Sequence, residues 1–255
     1  MLYCLCRITL VSVVKSNLTS VTSFEPRIIH GTVAKTGQFP WQVSMNIVTV
    51  TNETYFCGGA LVSSTAVLTA AHCALGAQYF LIWTGTLSSV IRKGYFLSRN
   101  YVVHENYSTL TLNSDIALIT TSKISFKDTV QSIPLGTGYV GVGSTLRVSG
   151  WGASSDTNKA ITSQLYYADL LTIGNNLCSL FYRSLSASQL CCIGIPNEST
   201  CHGDSGGPLI QQTSNGGWVH VGIVSFTAKA GCTLGYPTGF TRTASYLDWI
   251  KKHMY

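Results

Sequence analysis

Charge is what this sequence has least of. Only 10% of its 255 residues are Asp, Glu, Lys or Arg, with 10 acidic and 16 basic residues giving a formal net charge of +6. Arg7, Lys15 and Arg27 against Glu25 supply part of that excess before residue 28, and the remaining basic residues form no block. A nucleic-acid surface is therefore not expected. Apolar runs are short, well below the roughly 20 residues that a spanning helix needs, which argues against a membrane protein. There is no carboxylate-rich Ca²⁺ loop and no C-x-x-C pair; of the nine cysteines only Cys191 and Cys192 are adjacent and the others are scattered. That spread fits neither a zinc site nor a redox motif. Low-complexity tracts, long linkers and repeats are missing too, so nothing divides the chain after residue 28.

What remains is apolar and turn-rich. A hydrophobic fraction of 45% can fill a core, and 24 glycines with many Ser, Thr, Val and Tyr suit short strands joined by turns. From Ile28 onward such strands recur in WQVSMNIVTV, ALVSSTAVLTAAH, FLIWTG, DIALITT, TLRVSGWG and HVGIVSF. An all-β sandwich or barrel follows. The clearest helix is the C-terminal SYLDWIKKHMY, where Leu247, Ile250 and Met254 share one face that should dock on the body. The cysteines then read as disulfides, which require an oxidising compartment. The opening MLYCLCRITLVSVV suits a secretory signal over 1–15, although Arg7 interrupts it and no A-x-A cleavage site follows. Sequons at Asn17, Asn52, Asn106 and Asn197 permit glycosylation.

Three polar residues stand in apolar settings. His72 closes the strand-like LTAAHC, where a lone histidine is more often structural than catalytic. Asp115 heads the apolar NSDIALI; burying its carboxylate is costly unless it caps a turn or has a partner such as an imidazole. Ser205 sits in STCHGDSGGP. That stretch is a tight turn, and it also supplies a hydroxyl which needs an adjacent base to become a nucleophile. Gly203 and Gly206 allow a bend that aims backbone N–H groups at a developing oxyanion. The order His, Asp, Ser gives these fragments a joint meaning that none has alone.

With those residues the chain resembles the chymotrypsin-like serine peptidases. The resemblance runs from Arg27 to the C-terminus through RIIHG (27–31), FPWQV (39–43), CGGALVSSTAVLTAAHC (57–73), SDIAL (114–118), SGWG (149–152), GDSGGPL (203–209) and IVSF (223–226). AGCTLGYPTGFTR (230–242) is similar to arthropod chymotrypsin-like and collagenolytic members. The resemblance implies two six-stranded antiparallel β-barrels with a C-terminal helix, His72 and Asp115 on the first barrel, Ser205 on the second, and a substrate cleft between them. His72 is then the general base, and Asp115 is the carboxylate that fixes its tautomer and stabilises the imidazolium. The N–H groups of Gly203 and Ser205 form the oxyanion hole, and Ser225 supports the aspartate and the substrate backbone.

The resemblance further implies an activation propeptide at 16–27 ahead of a peptidase domain at 28–255. Cleavage after Arg27 by a trypsin-like protease frees the amino group of Ile28 to sit beside Asp204, and His30 departs from the family's usual glycine or valine. Three disulfides map by position: Cys57–Cys73, Cys201–Cys232, and Cys178 with either Cys191 or Cys192, leaving one odd thiol. Cys4 and Cys6 leave with the precursor segment. Partners are protein or peptide substrates, the activating protease and protein inhibitors; the implied enzyme is a secreted monomer with no cofactor and no metal.

Specificity comes from the pocket. Ser199 falls at the pocket base where trypsin-like members carry aspartate, so a basic P1 side chain would lack its counter-charge. Neighbouring Glu198 should point away. Thr227 and Thr238 fall on the pocket walls, where their β-branched side chains should narrow it toward small or medium aliphatic residues. A loop shifted by one residue would leave room for large aromatic residues or Leu. Two non-enzymatic readings stand beside this one: an inactive homologue that binds partners, and a secreted β-sandwich binding module.

Overall fold

The computed structural model describes residues 28, 31–158, 160–182, 185–195 and 198–254. The leader, Arg27, Cys4, Cys6, His30 and the sequons at Asn17 and Asn197 lie outside the described residues. Asn52 and Asn106 are exposed.

The first sheet is built from β2 (Gln42–Thr49), β3 (Thr54–Leu61), β4 (Ala66–Thr69), β5 (Ala77–Thr84), β6 (Phe96–Ser98), β7 (Asn100–Val103) and β8 (Ala117–Thr120). Its order is β6-β5-β2-β3-β4-β8-β7. Because β6 and β7 are separated only by Arg99, they act as one bent strand that joins β5 to β8 and closes a six-stranded barrel. The second sheet contains β9 (Thr145–Gly150), β10 (Tyr166–Ile173), β11 (Gln189–Gly194), β12 (Pro208–Gln212), β13 (Trp218–Phe226) and β14 (Thr238–Arg242), with the two-residue β1 (Thr32–Val33) added on β10. Its order is β1-β10-β11-β14-β13-β12-β9, and the β9–β10 pairing closes that barrel. Every pairing between these strands is antiparallel.

Alternation fills each barrel. Val43, Met45 and Ile47 on β2, with Phe80 and Ile82 on β5, point into the first core. Leu146 and Val148 on β9, with Ala168 and Leu170 on β10, line the second. The segment ALVSSTAVLTAAH contains two strands, because the Ser-Ser-Thr run reverses the chain between β3 and β4. β10 hides its alternation because its outward face carries the apolar Tyr167 and Leu171 as well as the charged Asp169. That charge lies opposite Arg147 on β9, and the two form a two-pronged pair, Nε to Oδ1 at 2.7 Å and Nη2 to Oδ2 at 2.8 Å.

A third apolar cluster glues the barrels together: Phe39, Trp41 and Ala60 from the first meet Trp151, Leu165 and Ile210 from the second. The Ser149 hydroxyl donates to Gln42 Oε1 at 2.6 Å across the same seam. The C-terminal helix exists, as a 3-10 turn (Thr243–Tyr246) leading into Leu247–His253, which we call α3. Its buried face differs from the expected one. Tyr246, Trp249 and Ile250 are buried with Met254 beside them, whereas Leu247, the first residue of the α-helix, is only part-buried. This face packs into the first barrel's core although the helix follows the second barrel.

Candidate active site

His72 lies in a single helical turn, α1 (Ala71–Ala74), entered directly from β4. Such a short helix has little stability of its own. It is held by the Cys57–Cys73 disulfide to β3 and by the Tyr55 hydroxyl, which donates to the Cys73 carbonyl at 2.8 Å. Asp115 stands just before β8, after Ser114, whose φ of 54° is in the left-handed region. The Asp115 side chain is fully buried.

A buried carboxylate needs donors, and Asp115 has three. His72 N–H donates to Oδ1 at 2.9 Å, His72 Nδ1 lies 2.8 Å from Oδ2, and Ser225 Oγ donates to the same Oδ2 at 2.5 Å. An ionised carboxylate only accepts, so the His72 proton belongs on Nδ1 and its Nε2 is left as the acceptor. That is the tautomer a general base requires. The Asp115 main chain is anchored as well, its carbonyl accepting from Thr241 Oγ1 on β14 at 2.8 Å. Two of these partners, Ser225 and Thr241, belong to the second barrel, so the aspartate fastens the two halves at the cleft. Tyr107 nearby has its phenol pushed up to about 12, first by burial and then by the Asp115 charge.

Ser205 is part-buried on a turn that the backbone defines closely. Asp204 N–H donates to the Cys201 carbonyl at 3.0 Å, Gly207 N–H to the Asp204 carbonyl at 2.9 Å, and Gly206 N–H to the Val224 carbonyl at 2.9 Å. Gly203 and Gly206 take φ values of 98° and 76°, so the turn uses backbone shapes that L side chains rarely adopt. The Ser205 carbonyl accepts from Gly58 N–H at 2.8 Å. Gly58 is next to Cys57, whose disulfide partner Cys73 is next to His72. One hydrogen bond and one disulfide thus connect the serine turn with the histidine turn across the cleft.

Asp204 is fully buried directly behind Ser205. Its Oδ1 accepts from Gly152 N–H at 2.8 Å and its Oδ2 from Cys201 N–H at 2.9 Å. Burial pushes its carboxyl up to about 6, and the two backbone donors pull in the opposite direction without cancelling it. A Cβ at residue 152 would collide with that carboxylate, which is why SGWG must have its second glycine there. Ile28 is fully buried in the core of this second barrel.

Ser199 is buried and donates to the Thr200 carbonyl at 3.0 Å. Thr238, buried on β14, has its hydroxyl 3.0 Å from that of Thr200. Glu198 leaves this region, accepting the Asp169 N–H on β10 at 2.8 Å. Thr227 is part-buried and lines an open groove of about 940 Å³ with Leu112, Phe226 and Tyr236. The structure therefore separates the two threonines, Thr238 in the packed interior and Thr227 at the groove. His202 is exposed, and its carbonyl accepts from Ala153 N–H at 2.7 Å.

The structure joins Cys57 to Cys73, Cys178 to Cys191, and Cys201 to Cys232. Cys192 is a buried free thiol. Successive strand residues face opposite ways, so on β11 Cys191 meets the α2 turn (Asn175–Cys178) while Cys192 enters the second core. Sequence reasoning did not find Thr241, Gly58 or Tyr107, which touch the site through main-chain or long-range contacts that no local motif announces.

The family model described as Trypsin matches residues 28–250. Brachyurin of Leptuca pugilator is 34% identical over 230 residues, covering 88% of this chain and 97% of that protein. Collagenase of Hypoderma lineatum is 34% identical over 237 residues, with 90% and 88% covered, and Chymotrypsin-2 of Vespa crabro 35% over 230, with 89% and 99% covered. The solved structure of HL collagenase superposes with a TM-score of 0.81 at 32% identity, over 89% of this chain and 98% of that one. The matched span takes in both barrels and all the residues built into the site above, and this chain belongs to the trypsin family of serine endopeptidases.

Proposed function

We propose that this endopeptidase works through His72, Asp115 and Ser205, is secreted as a zymogen opened after Arg27, and prefers small or medium aliphatic P1 residues. The observation that carries the reading is the fully buried Asp115 carboxylate, whose donors include His72 Nδ1 at 2.8 Å. With Nδ1 so engaged, His72 Nε2 takes the Ser205 proton as Oγ attacks the scissile carbonyl. The oxyanion is received by the N–H groups of Gly203 and Ser205. On collapse His72 returns the proton to the leaving amine, leaving an acyl-enzyme on Ser205; a water, deprotonated by His72, then releases the acid and restores the serine.

The buried Asp204 supports the zymogen reading. No cation pairs with it among the described residues, and its carboxyl is held at about 6. An ammonium freed at Ile28 would supply the missing charge and settle the oxyanion turn. Secretion is supported by the three disulfides, which belong to an oxidising compartment. The P1 preference is supported by the uncharged Ser199 and by the packed Thr200–Thr238 pair. Trypsin-activated protein assayed on peptides ending in Ala, Leu, Phe or Arg tests it: Ala and Leu should lead, and preferred Arg cleavage would contradict it. Arg27→Gln should abolish activation by trypsin, and undiminished activation would overturn the zymogen step.

A further inference from the structure

The loop between β13 and β14 forms one side of the groove through Ala228, Lys229 and Ala230, yet it is outside the ladder of either strand. Among the described residues its middle is fixed by a Gly231 N–H to Ala228 carbonyl bond at 3.2 Å, by the Cys201–Cys232 disulfide, and by a single carboxylate, Asp156. Asp156 comes from the bend after β9, distant in sequence from the loop it holds. Its Oδ1 accepts from Cys232 N–H at 2.5 Å, and its Oδ2 accepts from Thr233 N–H at 3.2 Å and also from the Thr233 hydroxyl. Gly231, at φ 137°, makes the approach possible: a Cβ there would come within 2.5 Å of the carboxylate.

The other end of the Asp156 segment is tied to the serine turn. Gly152 N–H reaches Asp204 Oδ1 at 2.8 Å and Ala153 N–H reaches the His202 carbonyl at 2.7 Å. Residues 152–156 therefore clasp the base of the serine turn at one end and the groove loop at the other, while the Cys201–Cys232 disulfide connects the same two loops covalently. We propose that Asp156 is a positioning residue for substrate binding: its carboxylate holds the 228–233 loop in the shape that accepts the substrate chain. The Thr233 hydroxyl, then burial opposing it, then the two backbone donors and His202 nearby hold Asp156 below the usual carboxylate range. A neutral side chain cannot accept all three donors with the same strength.

This inference rests on the peptidase reading, and its test separates the two. Activated wild type, Asp156→Ala, Thr233→Ala, the double variant and Asp156→Glu are compared on a Leu-ended tetrapeptide anilide, with amide hydrogen exchange on each. Asp156→Ala should raise KM about tenfold, the size of one lost charge-assisted bond, while kcat stays within about twofold because the serine turn keeps its Asp204 bonds. The double variant should be no worse than Asp156→Ala, and Asp156→Glu should recover part of the loss. Exchange in 229–233 should quicken in Asp156→Ala while β13 and β14 keep their protection. Unchanged exchange there, or quicker exchange with unchanged KM, overturns the positioning role. A wild type without turnover overturns the peptidase reading instead, and the exchange comparison then still decides whether Asp156 holds the loop.

Discussion

Gly58 N–H donates to the carbonyl of Ser205 at 2.8 Å, tying the middle of β3 in the first barrel to the nucleophile turn of the second. The approach is close enough that a Cβ on Gly58 would lie 3.0 Å from the Cα of Gly207. Backbone, rather than a flexible side chain, would have to move. Gly58→Ala should push the serine turn a few tenths of an ångström relative to His72 and lower kcat/KM by about tenfold, less than the roughly hundredfold cost of a full ~1 Å misplacement. Steady-state kinetics on the activated variant check this; wild-type kinetics would mean that the two barrels are not held in register here.

If activation proceeds as proposed, Asp204 should make stability before and after cleavage depend differently on pH. In the uncleaved chain its carboxyl, at about 6, is above the ordinary carboxylate value because of burial. The folded state then binds the proton more tightly than the unfolded one, so stability falls as pH rises from about 4 to 6, by about 3 kcal/mol if the whole shift is expressed. In the proposed activated form, with an Ile28 ammonium beside it, the sign would reverse, since a paired carboxylate stabilises above its unfolded value. The melting temperature of the cleaved enzyme minus that of Arg27→Gln should therefore widen from pH 4 to pH 7; a constant difference would remove Asp204 from the activation step.

His220 on β13 has the opposite slope. Its imidazole is fully buried with Nδ1 2.9 Å from Thr243 Oγ1, and burial pushes it down to about 3. The unfolded chain takes the proton first, so this contribution is intact above about pH 6.5 and is lost toward pH 3 at up to about 1.4 kcal/mol per pH unit. The unfolding free energy in urea of wild type minus that of His220→Gln, measured at pH 7, 6, 5 and 4, should shrink by that amount, the opposing Asp204 contribution cancelling in the difference. A difference that does not shrink would assign the acid loss to other groups.

In the proposed pocket, Thr238 is a packed wall and Thr227 an open one. Replacing Thr238 by Gly removes the side chain that meets Thr200, and adding Thr227→Gly clears the groove side. The double variant should raise kcat/KM for Phe-ended over Ala-ended peptides by about ten- to a hundredfold, the usual worth of a methylene or two in a pocket. An unchanged ratio would mean that P1 enters elsewhere.

Much of this architecture is legible in the sequence where chemistry is local. LTAAHC, NSDIAL and GDSGGP each mark a turn or strand end bearing one polar group, and their order in the chain implies a shared site. The alternation that fills β2, β5 and β9 is equally plain. β10 is obscured because its outward face carries apolar Tyr167 and Leu171, and the helix's buried face runs through Tyr246, Trp249 and Ile250, of which the Leu247, Ile250, Met254 pattern includes only Ile250. Asp156, Thr241 and Gly58 act on residues far along the chain through bonds that only the folded barrels bring into range. Cys191 and Cys192 differ only in which way a strand points them, which composition cannot tell.

The most direct test of the whole account is covalent labelling of Ser205. The purified chain is treated with trypsin, exposed to a fluorophosphonate, and mapped by peptide mass, with Arg27→Gln and His72→Ala in parallel. The account predicts one adduct on Ser205, present only after the Arg27–Ile28 bond is cut and strongly reduced in His72→Ala. No adduct on cleaved wild type would contradict it.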